Sequence, residues 1–371
     1  MKVPFANLHA QYQNCKDEID HAINEVIASG NFIGGDFVPQ FEKQFAETYE
    51  AGNCIGVANG TDAIFIALTA MGIGKGDEII TVAMSWISTA DTISRTGATP
   101  VFVDMEADGC NIDVALVAEK ITAQTKAIMV VHLYGHPTDM DPILSLCKQH
   151  DLRLIADCAQ AHFAEYKGAR VGLLGDVATF SFYPTKNLGA YGDAGAIITN
   201  DSHLAIDCRR IASQGALERH HHEVVGINSR LDSMQAAILS AKLPHVLQWN
   251  KERRRIAQLY NQLLIDISEV KTPVEKEYAT AVYHLYVIQC ERRDDLKEFL
   301  ESQDIGVSIH YPTPLPLQPA YQHLNYKLGS IPVAHRFSQQ ILSLPIYPEM
   351  TDEMCAYVAS KIRSFYANEH L

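Results

Sequence analysis

Residues 178–200 read ATFSFYPTKNLGAYGDAGAIITN, and this stretch decides which fold the chain adopts. It begins and ends with short apolar runs, residues 178–182 and 195–200, which have the length and composition of buried strands. A polar, glycine-rich turn separates the two runs and carries a single lysine, Lys186. An ammonium group between buried strands is unfavourable without a partner, so Lys186 is the first candidate for a chemical role.

Five further apolar runs precede this stretch, and helix-like segments separate several of them. These runs are residues 54–58, 78–83, 99–104, 127–134 and 152–157. Strands that alternate with helices indicate βαβ units around a mostly parallel sheet. The expected fold class is therefore α/β, with a mostly parallel seven-stranded sheet in a large domain that comprises residues 1–240.

The sequence pattern changes near residue 240. Residues 233–267 predict a long helix that is interrupted at Pro244. Strand-like residues 281–291 follow, then a helical segment, a second strand-like run at 307–312 and two closing helical segments. This succession predicts a smaller α+β domain that comprises residues 241–371.

Composition excludes several classes of protein. The net charge of the 371 residues is -14, which opposes binding to nucleic acid or to an anionic membrane. No apolar stretch approaches the roughly 20 residues of a membrane span, and the N-terminus lacks the apolar core of a signal peptide. The eight cysteines are scattered and form no CxxC pair, so we expect a soluble cytoplasmic protein without a metal site or a disulfide framework.

Polar groups follow four of the predicted strands, at the end where open α/β sheets bind their ligands. In chain order they are Gly60 and Thr61, Trp86, Asp157 and Gln160, and finally Ser181, Tyr183 and Lys186. A helix that starts at Gly60 would offer free amides to an anion, and Trp86 offers a flat face for an aromatic ring. A buried Asp157 needs a cationic or donor partner, and a neutral Lys186 can form a Schiff base.

A phosphate, a flat ring, a protonated ring nitrogen and an aldehyde together describe pyridoxal 5'-phosphate. Each residue also has a simpler interpretation when it is taken alone. The helix start and Asp157 could be caps, Trp86 could belong to the core, and Lys186 could be a solvated loop lysine. Their joint placement favours the cofactor.

Three segments resemble a known family: residues 155–199, GINSRLDSMQAAIL at 226–239 and SLPIYPEMT at 343–351. They are similar to the DegT/DnrJ/EryC1/StrS sugar aminotransferases, which are pyridoxal-phosphate enzymes of fold type I, and the resemblance covers essentially the whole chain. Two residues depart from the family's usual pattern. Phe163 stands where the family often has a small residue, and Tyr347 stands where it often has histidine.

The resemblance implies a role for each residue of the set. Lys186 would hold the cofactor covalently, Asp157 would pair with its pyridine nitrogen, Gln160 would bind its ring oxygen, Trp86 would stack on the ring, and Gly60, Thr61 and Ser181 would bind its phosphate. Asn228 would reach the phosphate from the other subunit, which implies a homodimer with shared active sites.

The resemblance also implies a substrate. Members with similar segments aminate C3 of a nucleotide-linked keto sugar. The expected reaction uses L-glutamate and a dTDP-3-keto-6-deoxyhexose and makes a 3-amino sugar for glycans such as the O-antigen of lipopolysaccharide. The alternative acceptor is UDP-2-acetamido-3-keto-glucuronate. Candidate substrate-binding residues are Tyr183, Arg219, His310 and Tyr311.

Three rival functions stay open at this point. A dehydratase on the same fold usually has histidine in place of the lysine, so Lys186 argues against it. A regulatory or sensory protein could keep the fold without turnover, which the intact set of Lys186, Asp157, Gln160 and Ser181 disfavours. A nucleotide-binding oxidoreductase is disfavoured because no strand–GxGxxG–helix unit occurs.

Overall fold

The computed structural model describes residues 1–367. Its strands are β1 (Asn53–Val57), β2 (Glu78–Val82), β3 (Thr99–Val103), β4 (Thr125–Val131), β5 (Arg153–Asp157), β6 (Glu165–Tyr166), β7 (Ala169–Arg170), β8 (Val177–Ser181), β9 (Gly195–Thr199), β10 (Ala216–Glu218), β11 (His221–His222), β12 (Val270–Lys271), β13 (Ala279–Thr280), β14 (Tyr286–Cys290) and β15 (Ile341–Leu344).

The helices enclose the sheets and connect their strands. They are α1 (Leu8–Asn14), α2 (Lys16–Ser29), α3 (Phe37–Tyr49), α4 (Gly60–Ala70), α5 (Ser88–Thr96), α6 (Val114–Val117), α7 (Met140–His150), α8 (Ser202–Ala212), α9 (Ser233–Lys242), α10 (Val246–Leu264), α11 (Arg293–Ser302), α12 (Pro332–Gln340) and α13 (Asp352–Ala367). Within residues 1–367, no helix combines the length and the apolar character that a bilayer span requires.

The large sheet has seven strands in the order β1-β9-β8-β5-β4-β2-β3. All pairs are parallel except the two that β9 makes with β1 and β8. The expected α/β class with a mostly parallel seven-stranded sheet is therefore confirmed. Strands β8 and β9 pair directly, with Ser181 opposite Gly195, so the quoted stretch is an antiparallel pair that presents the Lys186 turn.

Three of the predicted strand-like runs depart most from the observed strands. The run at residues 127–134 ends as β4 at Val131, because Tyr134 adopts a left-handed backbone conformation with φ 58°. The run at 281–291 is a strand only from Tyr286 to Cys290. Residues 307–312 contribute a single bridge, between Ser308 and Ser343.

The chain after α9 builds a second, three-stranded sheet in the order β12-β14-β15, which α10, α11 and α13 cover. The predicted helix break at Pro244 is present, since a short turn at Leu243–His245 separates α9 from α10. Val3 pairs with Ile305 and packs into the same apolar cluster as this sheet. The division of the chain at residues 240 and 241 stays a prediction.

Both departures from the family pattern lie in apolar cores. Phe163 is 4% exposed, has φ 65°, and its ring centroid lies 5.0 Å from that of Tyr49 and 5.8 Å from that of Phe45. A left-handed backbone favours glycine, which is consistent with a small residue in relatives. Tyr347 is 3% exposed and packs beneath the second sheet.

Candidate active site

Strands β1, β2, β5 and β8 run in the same direction, so their carboxyl ends meet at one edge of the large sheet. Strand β9 is antiparallel to β8 and therefore begins at this edge. The topology thus brings the start of α4, Trp86, Asp157 and the Lys186 turn to one side of the molecule. This is the edge at which open α/β sheets bind their ligands.

The start of α4 packs tightly against the end of β8. Asn59 caps the helix, because its side chain accepts a hydrogen bond from the Asp62 amide at 2.8 Å. The amides of Gly60 and Thr61 precede that bond and have no partner within the helix. A Cβ atom on Gly60 would lie 2.7 Å from Cβ of Ser181, so only glycine allows this approach.

Two hydroxyl groups lie beside the start of α4. The Thr61 hydroxyl lies 2.7 Å from the Ser88 hydroxyl at the start of α5. Free amides and hydroxyl groups at two helix starts form a neutral donor set that suits a phosphate. The structure therefore brings Gly60, Thr61 and Ser181 together, as the prediction of a phosphate site requires.

Asp157 ends β5 and is 7% exposed. Burial raises the pKa of its carboxyl group, while the Ala159 amide, the charge of Lys186 and the Thr89 hydroxyl act in the opposite direction. The Ala159 amide donates to Oδ1 of Asp157 at 3.0 Å. The carboxylate is therefore held in a low-dielectric position and has room for a further donor.

Lys186 occupies the turn between β8 and β9. Its backbone amide donates to the Tyr183 carbonyl at 2.8 Å, which closes the turn. Burial lowers the pKa of its amine to about 8, and the charge of Asp157 opposes that shift. The neutral form of the amine, which a nucleophilic lysine requires, is therefore far more populated near neutral pH than in an ordinary lysine.

Gln160 connects the large sheet to the C-terminal part of the chain. Its Oε1 accepts a hydrogen bond from the Tyr134 amide at 2.7 Å, and its Nε2 donates to the Tyr311 hydroxyl at 3.1 Å. The Tyr134 hydroxyl donates to the His310 carbonyl. Trp86 is 56% exposed, and its ring lies 5.6 Å from that of Tyr311, so one aromatic face stays free.

The charge of Lys186 acts on three imidazoles, the buried His162 and His284 and the half-buried His310. Burial lowers the pKa of His162 to about 3 and that of His310 to about 4, and the charge of Lys186 adds to both shifts. The pKa of His284 is also lowered by burial and by Lys186. These rings are neutral at physiological pH and add no positive charge to the site. His310 is anchored through its Nδ1, which lies 2.8 Å from the Ser343 hydroxyl.

Three predicted residues lie on the surface. Tyr183 is 53% exposed. Arg219 is exposed on the β10–β11 hairpin, and within residues 1–367 no hydrogen bond or ion pair joins it to the other predicted site residues. Asn228 is exposed and pairs with Ser213. The next residue, Ser229, accepts a hydrogen bond from the Ala58 amide at 3.1 Å, so this segment lies beside the β1–α4 turn of its own chain.

The sequence did not indicate several supporting residues. Asn187 donates to Asn250 at 2.8 Å and to the Val282 carbonyl at 3.0 Å, which fixes the residue after Lys186. Tyr134 orients Gln160 through its backbone amide. These groups come from segments that are distant in sequence or act through the backbone, so no local motif marks them. For Asn250, the one indication in the sequence is that an asparagine stands among the apolar residues of a predicted helix face.

The residues present fit pyridoxal phosphate. The close approach of Gly60 to Ser181 places amide and hydroxyl donors where a phosphate could bind. The buried carboxylate of Asp157 has room for a donor, and the pKa of the Lys186 amine is lowered. Because the imidazoles are neutral, the charges that act on this part of the molecule are those of Lys186, Asp157 and the buried Arg253. Within residues 1–367, no cluster of histidine, cysteine and carboxylate side chains could hold a metal ion.

Comparisons with known proteins cover nearly the whole chain. The family model of the DegT/DnrJ/EryC1/StrS aminotransferases matches residues 13–363. A Geobacillus stearothermophilus relative named "Pleiotropic regulatory protein" is 48% identical over 99% of both chains. A Streptomyces venezuelae relative named "dTDP-3-amino-3,4,6-trideoxy-alpha-D-glucose transaminase" is 41% identical over 98% of this chain and 96% of its own length.

A solved structure extends the comparison to three dimensions. The structure of S. venezuelae DesV in complex with a ketimine intermediate has a TM-score of 0.96 and 41% identity, and the match covers 98% of each chain. The chain therefore belongs to the DegT/DnrJ/EryC1/StrS family of aminotransferases, which use pyridoxal phosphate.

Proposed function

We propose that this enzyme transfers the amino group of L-glutamate to C3 of a dTDP-linked 3-keto-6-deoxy sugar. The 41% identity to the S. venezuelae dTDP-amino-sugar transaminase over nearly both full lengths carries this proposal. The lowered pKa of Lys186 and the buried Asp157 support the catalytic part. The product would be a 3-amino sugar for glycan biosynthesis, and the reaction would take place in the cytoplasm.

In this proposal, each residue of the site contacts a different part of the cofactor. Lys186 would bind it covalently, Asp157 would accept a hydrogen bond from its ring nitrogen, and Gly60, Thr61 and Ser181 would bind its phosphate. Gln160 would donate to the ring oxygen, because the Tyr134 amide already orients its side chain. When bound, pyridoxal phosphate accepts the electron pair of the substrate carbon that loses a proton.

Lys186 is also the group that moves the proton. Once the amino group of the donor has displaced it from the cofactor, the Lys186 amine would be free to take the proton from the α-carbon of the donor and to return it two atoms away, which is a 1,3-shift. The neutral rings of His162 and His310 keep the surrounding charge constant during that transfer. The Asp157 carboxylate would stabilise positive charge on the ring nitrogen.

The sugar would bind on the exposed side of the site. Tyr183 presents its ring there, and the half-buried Tyr311 lies beneath it with its hydroxyl bound to Gln160. The His310 ring stacks on Phe5 at 5.7 Å. Arg219 would bind the nucleotide diphosphate, which pairs with guanidinium in a bidentate manner. In this proposal Asn228 and the β10–β11 hairpin belong to the active site of a partner subunit, so the enzyme is a homodimer with shared sites.

Two half-reactions test the proposal separately. The purified enzyme is first treated with L-glutamate, and loss of the visible band of the lysine-bound cofactor reports the donor step. Nucleotide 3-keto sugars are then added one at a time, and the Lys186→Ala variant is the control. Return of the band with a dTDP-3-keto-6-deoxy sugar is the expected result. Return only with UDP-2-acetamido-3-keto-glucuronate would replace the proposed acceptor with the alternative.

A regulatory role is the second candidate, because the 48% identical relative is named a regulatory protein. A purely regulatory protein could bind the cofactor without turnover. Product formation over many cycles with glutamate and a keto sugar excludes that alternative. A single loss of the visible band, with no amino sugar formed from any acceptor, would favour it.

A further inference from the structure

Helix α9 holds the backbone of the Lys186 turn at two points. The Gln235 side chain accepts a hydrogen bond from the Tyr191 amide at 2.8 Å, and the Lys242 ammonium donates to the Gly189 carbonyl. Gln235 and Lys242 are seven residues apart, which places them on the same helix face about 10.5 Å from each other. This face of α9 therefore holds the backbone that follows Lys186 at two residues, Gly189 and Tyr191.

Lys242 is a buried cation that the mechanism described above does not use. Its side chain has no exposed surface, and its Nζ lies 5.0 Å from the ring centroid of Tyr191 and 5.9 Å from that of Trp249. Burial lowers the pKa of its amine to about 8, and Cys15 and Glu349 oppose that shift. The two aromatic faces and the Gly189 carbonyl thus direct the ammonium towards the turn.

The charge on Lys242 is not explained by stability alone. Removing an ammonium group from water is costly unless partners compensate for it. Replacing a buried ion with an apolar side chain of similar volume is often neutral or stabilising. Glu349 is the carboxylate whose charge acts on Lys242, and the Asn14 side chain in turn stabilises the charged form of Glu349. A methionine at position 242 could pack equally well, so the hydrogen bond to Gly189 is the feature that distinguishes lysine.

The turn transmits the position of Gly189 to Lys186. A Cβ atom on Gly189 would lie 2.3 Å from the Pro184 carbonyl oxygen, so the two sides of the turn are in close contact. Between them, Lys186 is fixed through its amide to Tyr183 at 2.8 Å, and Asn187 is fixed to Asn250 at 2.8 Å. A displacement of the Gly189 carbonyl therefore moves a closely packed loop whose central side chain is Lys186.

We propose that Lys242 is a positioning residue for the reaction. Its ammonium fixes the Gly189 carbonyl and thereby places the Lys186 amine opposite Asp157. This inference rests on the proposed role of Lys186. Small misplacements of a reacting group, even by a distant substitution, can reduce turnover about 100-fold.

The Lys242→Met variant tests the inference, with Lys251→Met as a matched control on the exposed face of α10. Turnover, the KM for glutamate and the dissociation constant of pyridoxal phosphate are measured for both. Amide hydrogen exchange of residues 183–192 is measured on the cofactor-free proteins. We expect kcat of Lys242→Met to fall about tenfold or more, KM to stay within about twofold, cofactor affinity to decrease and amide exchange to accelerate. Lys242→Arg should recover part of kcat.

Unchanged exchange in residues 183–192 together with unchanged kcat per bound cofactor would overturn the inference. A loss of thermal stability without change in either readout would assign Lys242 a structural role only, which also overturns it. If Lys242→Met does not yield folded protein, Lys242→Gln provides the same readouts, because its shorter side chain keeps a polar group but is too short to preserve the bond to Gly189. If the wild-type enzyme forms no covalent link at Lys186, the proposed function fails, and the exchange measurement still decides whether Lys242 holds the turn.

Discussion

The charge of Asp157 acts on the pKa of Lys186, and the direction of this effect can be measured. Burial lowers the pKa of the Lys186 amine to about 8, whereas the Asp157 carboxylate raises it. Covalent capture of the cofactor requires the neutral amine. We therefore expect the rate of capture by cofactor-free enzyme to rise with pH to a midpoint near 8 and to stay constant above it. An ordinary lysine would show a midpoint of about 10.4.

The Asp157→Asn variant is the internal control for this titration. Removing the carboxylate removes the interaction that raises the lysine pKa, so the midpoint should move to lower pH. Turnover should nevertheless fall about 100-fold or more, because the ring nitrogen loses its charged partner. Stopped-flow absorption measures the capture rate. A midpoint that stays at the same pH or moves upward would show that the two groups are not coupled in this way.

The sequence alone identifies functional residues that follow the ends of strands. It does not identify residues whose role depends on contacts between distant parts of the chain. Asp157 and Lys186 follow apolar runs, so their placement at the sheet edge follows from topology. Lys242 is a helix residue with no motif, and its contact with Gly189 spans 53 positions of sequence. Only the packing of α9 against the turn reveals it.

At the scale of elements, apolar runs predicted all seven strands of the large sheet with boundaries within about two residues. The exception is the end of β4, where Tyr134 takes a left-handed conformation and its amide turns to Gln160. Hydrophobic pattern cannot reveal such a change, because Tyr134 is itself buried and apolar in character. The pattern also could not indicate that β9 is antiparallel, since strand direction depends on the tight turn around Lys186.

The junction of α4 and β8 gives a prediction at this scale. Gly60→Ala introduces a Cβ atom 2.7 Å from that of Ser181, so the helix start and the strand end must separate. Overpacking of this kind costs about 1–3 kcal/mol, and the separation should also weaken cofactor binding through the phosphate. Denaturant unfolding and cofactor titration measure the two effects.

Gly74→Ala is the matched control for that substitution. An added Cβ atom there would have its nearest neighbour at 3.8 Å, and the backbone of Gly74 is not left-handed. We expect this variant to retain wild-type cofactor affinity and to keep or slightly increase its stability, because alanine restricts the unfolded chain. Equal loss of cofactor affinity in both variants would show that the contact with Ser181 has no special importance.

At the scale of the whole molecule, the exposed apolar residues around the β10–β11 hairpin indicate a covered surface. Val225 is 94% exposed, and Leu217 and Val224 are 46% and 47% exposed. Contiguous exposed apolar side chains on a soluble protein usually mark an interaction site. Asn228 lies directly after this segment, which supports a homodimer in which the segment completes the partner's site.

The shared site can be tested by mixing two defective variants, Lys186→Ala and Asn228→Asp. If Asn228 acts in the partner's site, each hybrid dimer contains one complete site, formed by Lys186 of one subunit and Asn228 of the other. Random exchange at equal concentrations should then restore about one quarter of wild-type turnover. Asn228 could instead act in its own chain, because the neighbouring Ser229 is bound to the Ala58 amide. In that case no hybrid dimer contains a complete site, and the turnover of the mixture equals the sum of the turnovers of the two variants. Sedimentation of the mixture confirms that dimers form, so an absence of recovery in dimeric protein would assign Asn228 to its own subunit.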